Sequence, residues 1–184
     1  LVPNTQLARL LDCDVAAGRV VVNERQETSR AFVFCAGETT GVGGVDLPLV
    51  EGEIAGLCAA GRSADARALQ RRRAGLGAMA DAMELAFAPR HELRGVATPE
   101  TIVCRCEDVA LGAIGASWTT RQAKLYTRAG MGPCQGRVCG AALEFLFDWP
   151  ADAVRTPADP SLLATLLADA GNVAAGSLHQ GVFQ

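Results

Sequence analysis

Residues 101–109 read TIVCRCEDV and residues 127–147 read TRAGMGPCQGRVCGAALEFLF, and together they hold four of the chain's 7 cysteines. Cys104 and Cys106 flank one residue, 27 residues follow, and Cys134 and Cys139 flank four. Four thiolates with no histidine close by suit either zinc or an iron–sulfur cluster. Structural zinc usually recruits pairs with about two to four intervening residues, so a gap of one is tight for it. A bend can instead aim Cys104 and Cys106 at one cluster while the longer pair holds its other side.

The surroundings point the same way. An oxidised [2Fe–2S] core with four thiolates carries a net charge of about −2 and needs amide donors and cations around it. Gly130, Gly132, Gly136 and Gly140 let the chain of 130–140 fold closely round sulfur. Helix N-termini are expected after both pairs, with Glu107 and Asp108 in one first turn and Gly140 in the other. Arg105, Arg128 and Arg137 supply positive charge. Spacing and setting favour a [2Fe–2S] cluster, and a structural zinc site with four cysteine ligands is the alternative. Cys13, Cys35 and Cys58 stand alone among apolar or small neighbours and read as small buried hydrophobes.

Working upstream, residues 62–97 read as a connector helix and linker. RSADARALQRRRAGLGAMADAMELAFAP (62–89) has Leu69, Leu76, Met79, Met83 and Phe87 at helical spacing, Ser63 as a cap and Pro89 at its end. That apolar stripe is the expected packing face, and Arg71–Arg73 read as a solvated face rather than a dock for an acidic partner. Residues 1–61 read as the end of an α/β unit. NTQLARLL (4–11) is a short helix capped by Asn4 or Thr5, while RVVVN (19–23) and AFVFCA (31–36) are strands. The second is apolar throughout, as in a strand buried on both faces. GETTGVGG (37–44) then leads into a helix with Asp46 as cap, Pro48 in its first turn, and Leu47, Val50, Ile54, Leu57 and Cys58 on one face. Residues 98–148 hold the cysteine pairs. Residues 149–184 form a tail with one more helix over 161–170 and a loose end over 172–184.

The chain's 184 residues suggest one domain or two small ones, and 49% hydrophobic content is enough for a core. A net charge of −3 with only 5% aromatic residues argues against nucleic acid. Lys124 is the single lysine among 17 basic residues, which reads as coding bias. No apolar run is long enough for a membrane span. LVPNTQLARLLDCD lacks a basic region followed by a long apolar stretch, so no secretory signal is expected and the cytoplasm is the expected compartment. A chain opening on Leu1 is expected to begin in mid-protein. His91 and His179 read as surface residues, and no catalytic nucleophile arrangement stands out.

The two cysteine segments closely resemble the bacterioferritin-associated-ferredoxin-like [2Fe–2S] domain, in the version fused to the C-terminus of FAD-dependent oxidoreductase subunits. The resemblance implies that Cys104, Cys106, Cys134 and Cys139 are the cluster ligands, in a small helical domain over 98–148 with each pair in a loop beside a helix. ETSRAFVFCAGETTGVGGVDLPLVEGEIAG (27–56) resembles the last FAD-contacting motif of flavoproteins with two dinucleotide-binding domains. There a strand ends in Ala-Gly-Asp, the carboxylate binds a hydroxyl of the flavin's ribityl region, and the next helix points its N-terminus at the isoalloxazine. Here Ala36-Gly37-Glu38 stands in that place, glutamate keeping the acceptor with one more methylene. The amides of Gly43, Gly44 and Val45 would lie near the flavin's pyrimidine edge. Taken without the family, a Gly-rich turn between strand and helix is a weak signal. ALEFLFDWPADAVRTPADP (142–160) also resembles the family's ending.

The implied fold is the end of a two-dinucleotide-binding-domain FAD domain, α/β in class, followed by the small all-α [2Fe–2S] domain. G-x-G-x-x-G, which opens flavoproteins of this class, is absent from these residues. FAD is therefore expected to bind only together with the rest of the flavoprotein subunit, on a longer chain or on another. The relatives implied are α subunits of opine oxidases, of proline or hydroxyproline dehydrogenases and of the glycine-oxidising cyanide synthase. The expected partner is a second FAD-dependent subunit that oxidises the amine. A stand-alone ferredoxin-like binding module is the competing reading, and it would not need the flavin motif.

Overall fold

Asn4 starts the first helix, α1 (Gln6–Leu10), by accepting the Gln6 amide at 3.1 Å, so Asn4 and not Thr5 supplies the side-chain cap. The computed structural model describes residues 2–150, 154, 161–164 and 167. The chain divides into two compact units, Leu1–Ala153 and Val154–Gln184. Most of the helix expected over 161–170, and all of the loose end over 172–184, lie outside the described residues.

The strand-forming stretches of the first 40 residues pair only briefly. β1 (Val15–Ala16) and β2 (Arg19–Val20) form a tight antiparallel hairpin with Val15 opposite Val20. The strand expected over 31–36 reduces to one bridge between Phe34 and Glu27, and Phe32 is 97% exposed with φ 63°. Local side-chain bonds account for this. Asn23 Oδ1 accepts from the Arg25 and Glu27 amides, and Thr28 Oγ1 donates to the Val33 carbonyl at 2.9 Å, so turns replace a ladder.

α2 (Asp46–Ala59) buries Leu47, Val50, Ile54 and Cys58 as its spacing predicts, and it buries Glu51 as well. Val45 occupies the N-cap and makes no side-chain capping bond, so Asp46 sits in the first turn instead of capping it. The connector is broken into α3 (Ser63–Ala66), a 3-10 turn (Arg67–Leu69) and α4 (Gln70–Phe87). Val50, Ile54, Cys58 and Ala66 form one core, with Leu69 and Leu76 packed against it. Beyond Leu76 the expected packing face is not used: Met79, Met83 and Phe87 are 63%, 49% and 79% exposed.

Residues 98–148 build a second core from Cys104, Val109, Ile114, Ala123, Ala129, Cys139 and Leu143. Helices predominate among its regular elements, but it is not all-α as expected, because β3 (Ile102–Cys104) and β4 (Val109–Ala110) form an antiparallel hairpin. α5 (Thr120–Thr127) opens on a capping box, Thr119 accepting the Gln122 amide while Gln122 accepts the Thr119 amide. α6 (Cys139–Phe147) ends at Asp148 in the left-handed conformation. Both Asp148 oxygens accept from the Arg94 guanidinium, which fastens the 3-10 turn His91–Val96 to the end of α6. Among the described residues no helix is long and apolar enough to cross a membrane.

Candidate functional site

Each cysteine pair is delivered by two different kinds of element. Cys104 ends β3 and is fully buried, while Cys106 lies exposed in the hairpin turn with Glu107 and Asp108. The helix expected after this pair is absent, since β4 follows the turn directly. Cys134 is half-buried in the turn before α6, and Cys139 is buried as the first residue of α6. All four are free thiols.

The four cysteines lie in the folded chain as two sulfur pairs. Cys139 meets Cys104 on the buried side, and its thiol is pushed up to about 12, by burial first and then by the Cys104 sulfur. Cys106 meets Cys134 on the exposed side. Cys134 is held below the ordinary thiol value, first by the Val138 amide, then by the Cys106 thiol, with the Gly136 and Cys139 amides adding to it. At Cys106 the Cys134 amide draws the value down, but the Cys134 sulfur, burial and Cys104 outweigh it and the value rises. The Gly130 amide donates to Cys104 Sγ at 3.4 Å, delivered there by the end of α5. Backbone donors therefore face sulfur on both sides, as a nest for negative charge requires. Gly132 has a steric role, since a Cβ there would collide with Cys106 Cβ.

No three His, Cys, Asp or Glu side chains among the described residues are gathered as they would be round one metal ion. Of the three arginines expected to supply charge, Arg128 is engaged by Glu107, Nε to Oε2 at 2.7 Å, which ties the two cysteine loops together. Arg105 and Arg137 are exposed.

The Gly-rich turn lies against the first turn of α2: a Cβ on Gly37 would sit 3.6 Å from Pro48 Cβ. Gly37 is buried with φ 86°, and Glu38 beside it is exposed, its carboxylate making no hydrogen bond or ion pair among the described residues. Gly43 is wedged between Leu47 of α2 and Ala80 of α4, whereas Gly44 and Val45 are exposed at the start of α2. The residues expected to meet a flavin thus share one end of α2. Sequence reading missed what holds them. Glu51, 3% exposed, accepts from the Gly37 amide and the Thr40 hydroxyl, both at 3.0 Å, and pairs with Arg73 Nε at 3.2 Å. A cleft of about 420 Å³ beside this turn is lined by that pair and by the Arg19–Glu84 ion pair. A carboxylate on an amphipathic helix ordinarily reads as solvated, so only the non-apolar position 51 within the buried spacing of α2 could have signalled it.

No protein-family model matches the chain, and no solved structure matches it. Curated relatives do. An opine oxidase subunit of Agrobacterium tumefaciens (strain Ach5) is 30% identical over 207 aligned residues, covering 90% of this chain and 39% of the relative. Its namesake in Rhizobium meliloti (strain 1021) is 34% identical over 165, covering 79% and 35%. Hydrogen cyanide synthase subunit HcnB of Pseudomonas aeruginosa is 31% identical over 157, covering 75% and 34%. The chain thus spans between about a third and two fifths of the length of these relatives.

Proposed function

Because the chain belongs to the family that includes these opine oxidase subunits and hydrogen cyanide synthase subunit HcnB, we propose that it is the electron-transfer part of an oxidoreductase subunit that uses FAD and a [2Fe–2S] cluster. The observation that carries this reading is the gathering of Cys104 with Cys139 and Cys106 with Cys134, each pair met by backbone amides. The flavin would supply two-electron oxidation chemistry and the cluster one-electron steps, so between them electrons from an amine or amino acid can be passed on singly. In this reading Cys104 and Cys139 bind from the protein interior, while Cys106 and Cys134 bind at the surface. The Gly130, Gly136 and Val138 amides stabilise thiolate charge, and Gly132 keeps the chain close to Cys106. Glu38 would accept from a flavin hydroxyl, with the amides of Gly43, Gly44 and Val45 near the ring. The presence of this turn favours a flavoprotein subunit over a stand-alone ferredoxin-like module. The partners the reading requires are the remainder of the flavoprotein subunit, together with a second FAD-dependent subunit that oxidises the substrate.

Anaerobic purification tests it. The expected product is red-brown protein with about two iron and two sulfide per chain and, after reduction, a rhombic paramagnetic resonance signal. Stoichiometric zinc without sulfide would overturn the cluster. The 184 residues alone are expected to bind FAD weakly or not at all, because they carry no G-x-G-x-x-G for the pyrophosphate. Tight FAD binding by these residues would mean that the flavin site lies elsewhere in them.

A further inference from the structure

Glu51 is the one buried charged side chain among the described residues. Taking a carboxylate out of water is costly, and a well-packed apolar residue would usually serve a helix core at least as well. What Glu51 does instead is geometric. Its Oε2 accepts from both ends of one turn, the Gly37 amide and the Thr40 hydroxyl, each at 3.0 Å. The turn is closed on itself as well, the Thr40 amide donating to the Gly37 carbonyl at 2.8 Å and the Gly41 amide to the Glu38 carbonyl at 3.2 Å. Glu38 stands inside this clamped turn with its carboxylate directed to no protein partner among the described residues.

Glu51 is itself held from α4. Arg73 Nε donates to Glu51 Oε1 at 3.2 Å. With the Gln26 amide assigned so that its oxygen faces the guanidinium, that oxygen accepts from Arg73 Nε at 2.8 Å and the Gln26 nitrogen donates to the Cys35 carbonyl at 2.8 Å. Gln26 is fully buried, so Cys35, the turn and the connector helix are fixed through one polar network. We propose that Glu51 is a positioning residue for flavin binding, aiming Glu38 through the Gly37–Thr40 turn, and that Arg73 couples α4 to that task. The inference rests on the reading that Glu38 accepts from a flavin hydroxyl.

The test uses the full-length flavoprotein subunit loaded with FAD, in the variants Glu51→Leu, Glu51→Gln, Glu38→Ala and Ile54→Val. FAD affinity, the bound flavin's visible spectrum, iron and sulfide content and the thermal midpoint are measured for each. Glu51→Leu should weaken FAD binding by about tenfold or more and shift the flavin spectrum, with iron and sulfide unchanged. Glu51→Gln keeps an acceptor for Gly37 and Thr40 and should recover most of the affinity. Ile54→Val, a packing change in the fully buried neighbour on α2, should lower the midpoint while FAD binds as in the wild type. A purely structural role predicts instead that affinity follows the midpoint in all variants, and that result would overturn the proposal. Wild-type affinity in Glu51→Leu together with weakened Glu38→Ala overturns it alone. Unchanged affinity in both overturns the flavin reading of the turn.

Discussion

Two cysteines in different surroundings have different consequences for this chain. Cys58 is 5% exposed and packs with Val50, Ile54 and Ala66, whereas Cys134 faces the Gly136, Val138 and Cys139 amides and the Cys106 sulfur. Cys134→Ser is therefore expected to abolish iron and sulfide content. Cys58→Ser should leave both intact and cost about 1 kcal/mol of stability, by metal analysis and denaturant titration of the same preparations. The burial of Cys58 was legible from its apolar neighbours, and paired spacing among glycines set Cys134 apart from it in sequence. Glu51 was not legible, nor was Glu107 as the partner of Arg128. An acidic side chain carries no mark in sequence of whether three donors will be waiting for it.

At the scale of elements, α4 is the instructive case. Periodicity singled out Leu69, Leu76, Met79, Met83 and Phe87. Leu69 and Leu76 do pack on the N-terminal core, but the other three stay exposed, and the helix makes its remaining contacts through a neighbouring polar face. Gln70 donates to the Glu24 carbonyl at 2.6 Å, Arg73 pairs with Glu51, Ala80 abuts Gly43, and Glu84 pairs with Arg19. Hydrophobic periodicity finds apolar faces, and a polar docking face is invisible to it. Likewise β-rich composition at 31–36 did not make a strand, since Thr28 and Asn23 captured the backbone groups a ladder would need. Of the three arginines read as solvated, Arg71 and Arg72 are exposed and Arg73 is not. Arg73→Ala should cost roughly 3 kcal/mol by leaving Glu51 buried without its countercharge, and Arg71→Ala should stay within about 0.5 kcal/mol in urea titrations. The Arg94–Asp148 clasp at the end of α6 gives a pH signature. The hydrogen bond from Arg94 holds the Asp148 carboxyl below its ordinary value, so the pair stabilises the fold above about pH 4 and that contribution is lost as pH falls through the lower folded value. Thermal midpoints of wild type should exceed those of Asp148→Asn at neutral pH, by a margin that salt reduces and that closes at low pH.

For the whole molecule, the exposed half of α4 is the surface that the proposed function puts to use. The 184 residues carry a folded core on each side of α4 and yet leave Met79, Met83, Leu85 and Phe87 open to water. Relatives of this family extend well beyond the aligned part, the match covering 39% of one and 34% of another. Met79→Asp plus Met83→Asp separates the two settings. In the 184-residue chain both positions are already solvated, so the double variant should change stability by no more than about 0.5 kcal/mol and leave iron content unchanged. In the complete oxidoreductase, under the proposed function, the remainder of the flavoprotein subunit covers this face. Two unpaired charges would then be buried at the contact, at a cost of several kcal/mol if they stayed there, so the contact opens instead. Electron transfer falls steeply with separation, and the residues proposed to hold both cofactors lie away from the substitutions. Stopped-flow reduction should therefore find flavin and cluster fully occupied but the transfer between them slowed at least about tenfold, the equivalent of roughly 1.4 kcal/mol in barrier. An unchanged transfer rate with both centres occupied would mean that α4 does not set their geometry, and that the network through Arg73 and Glu51 acts on the flavin turn alone.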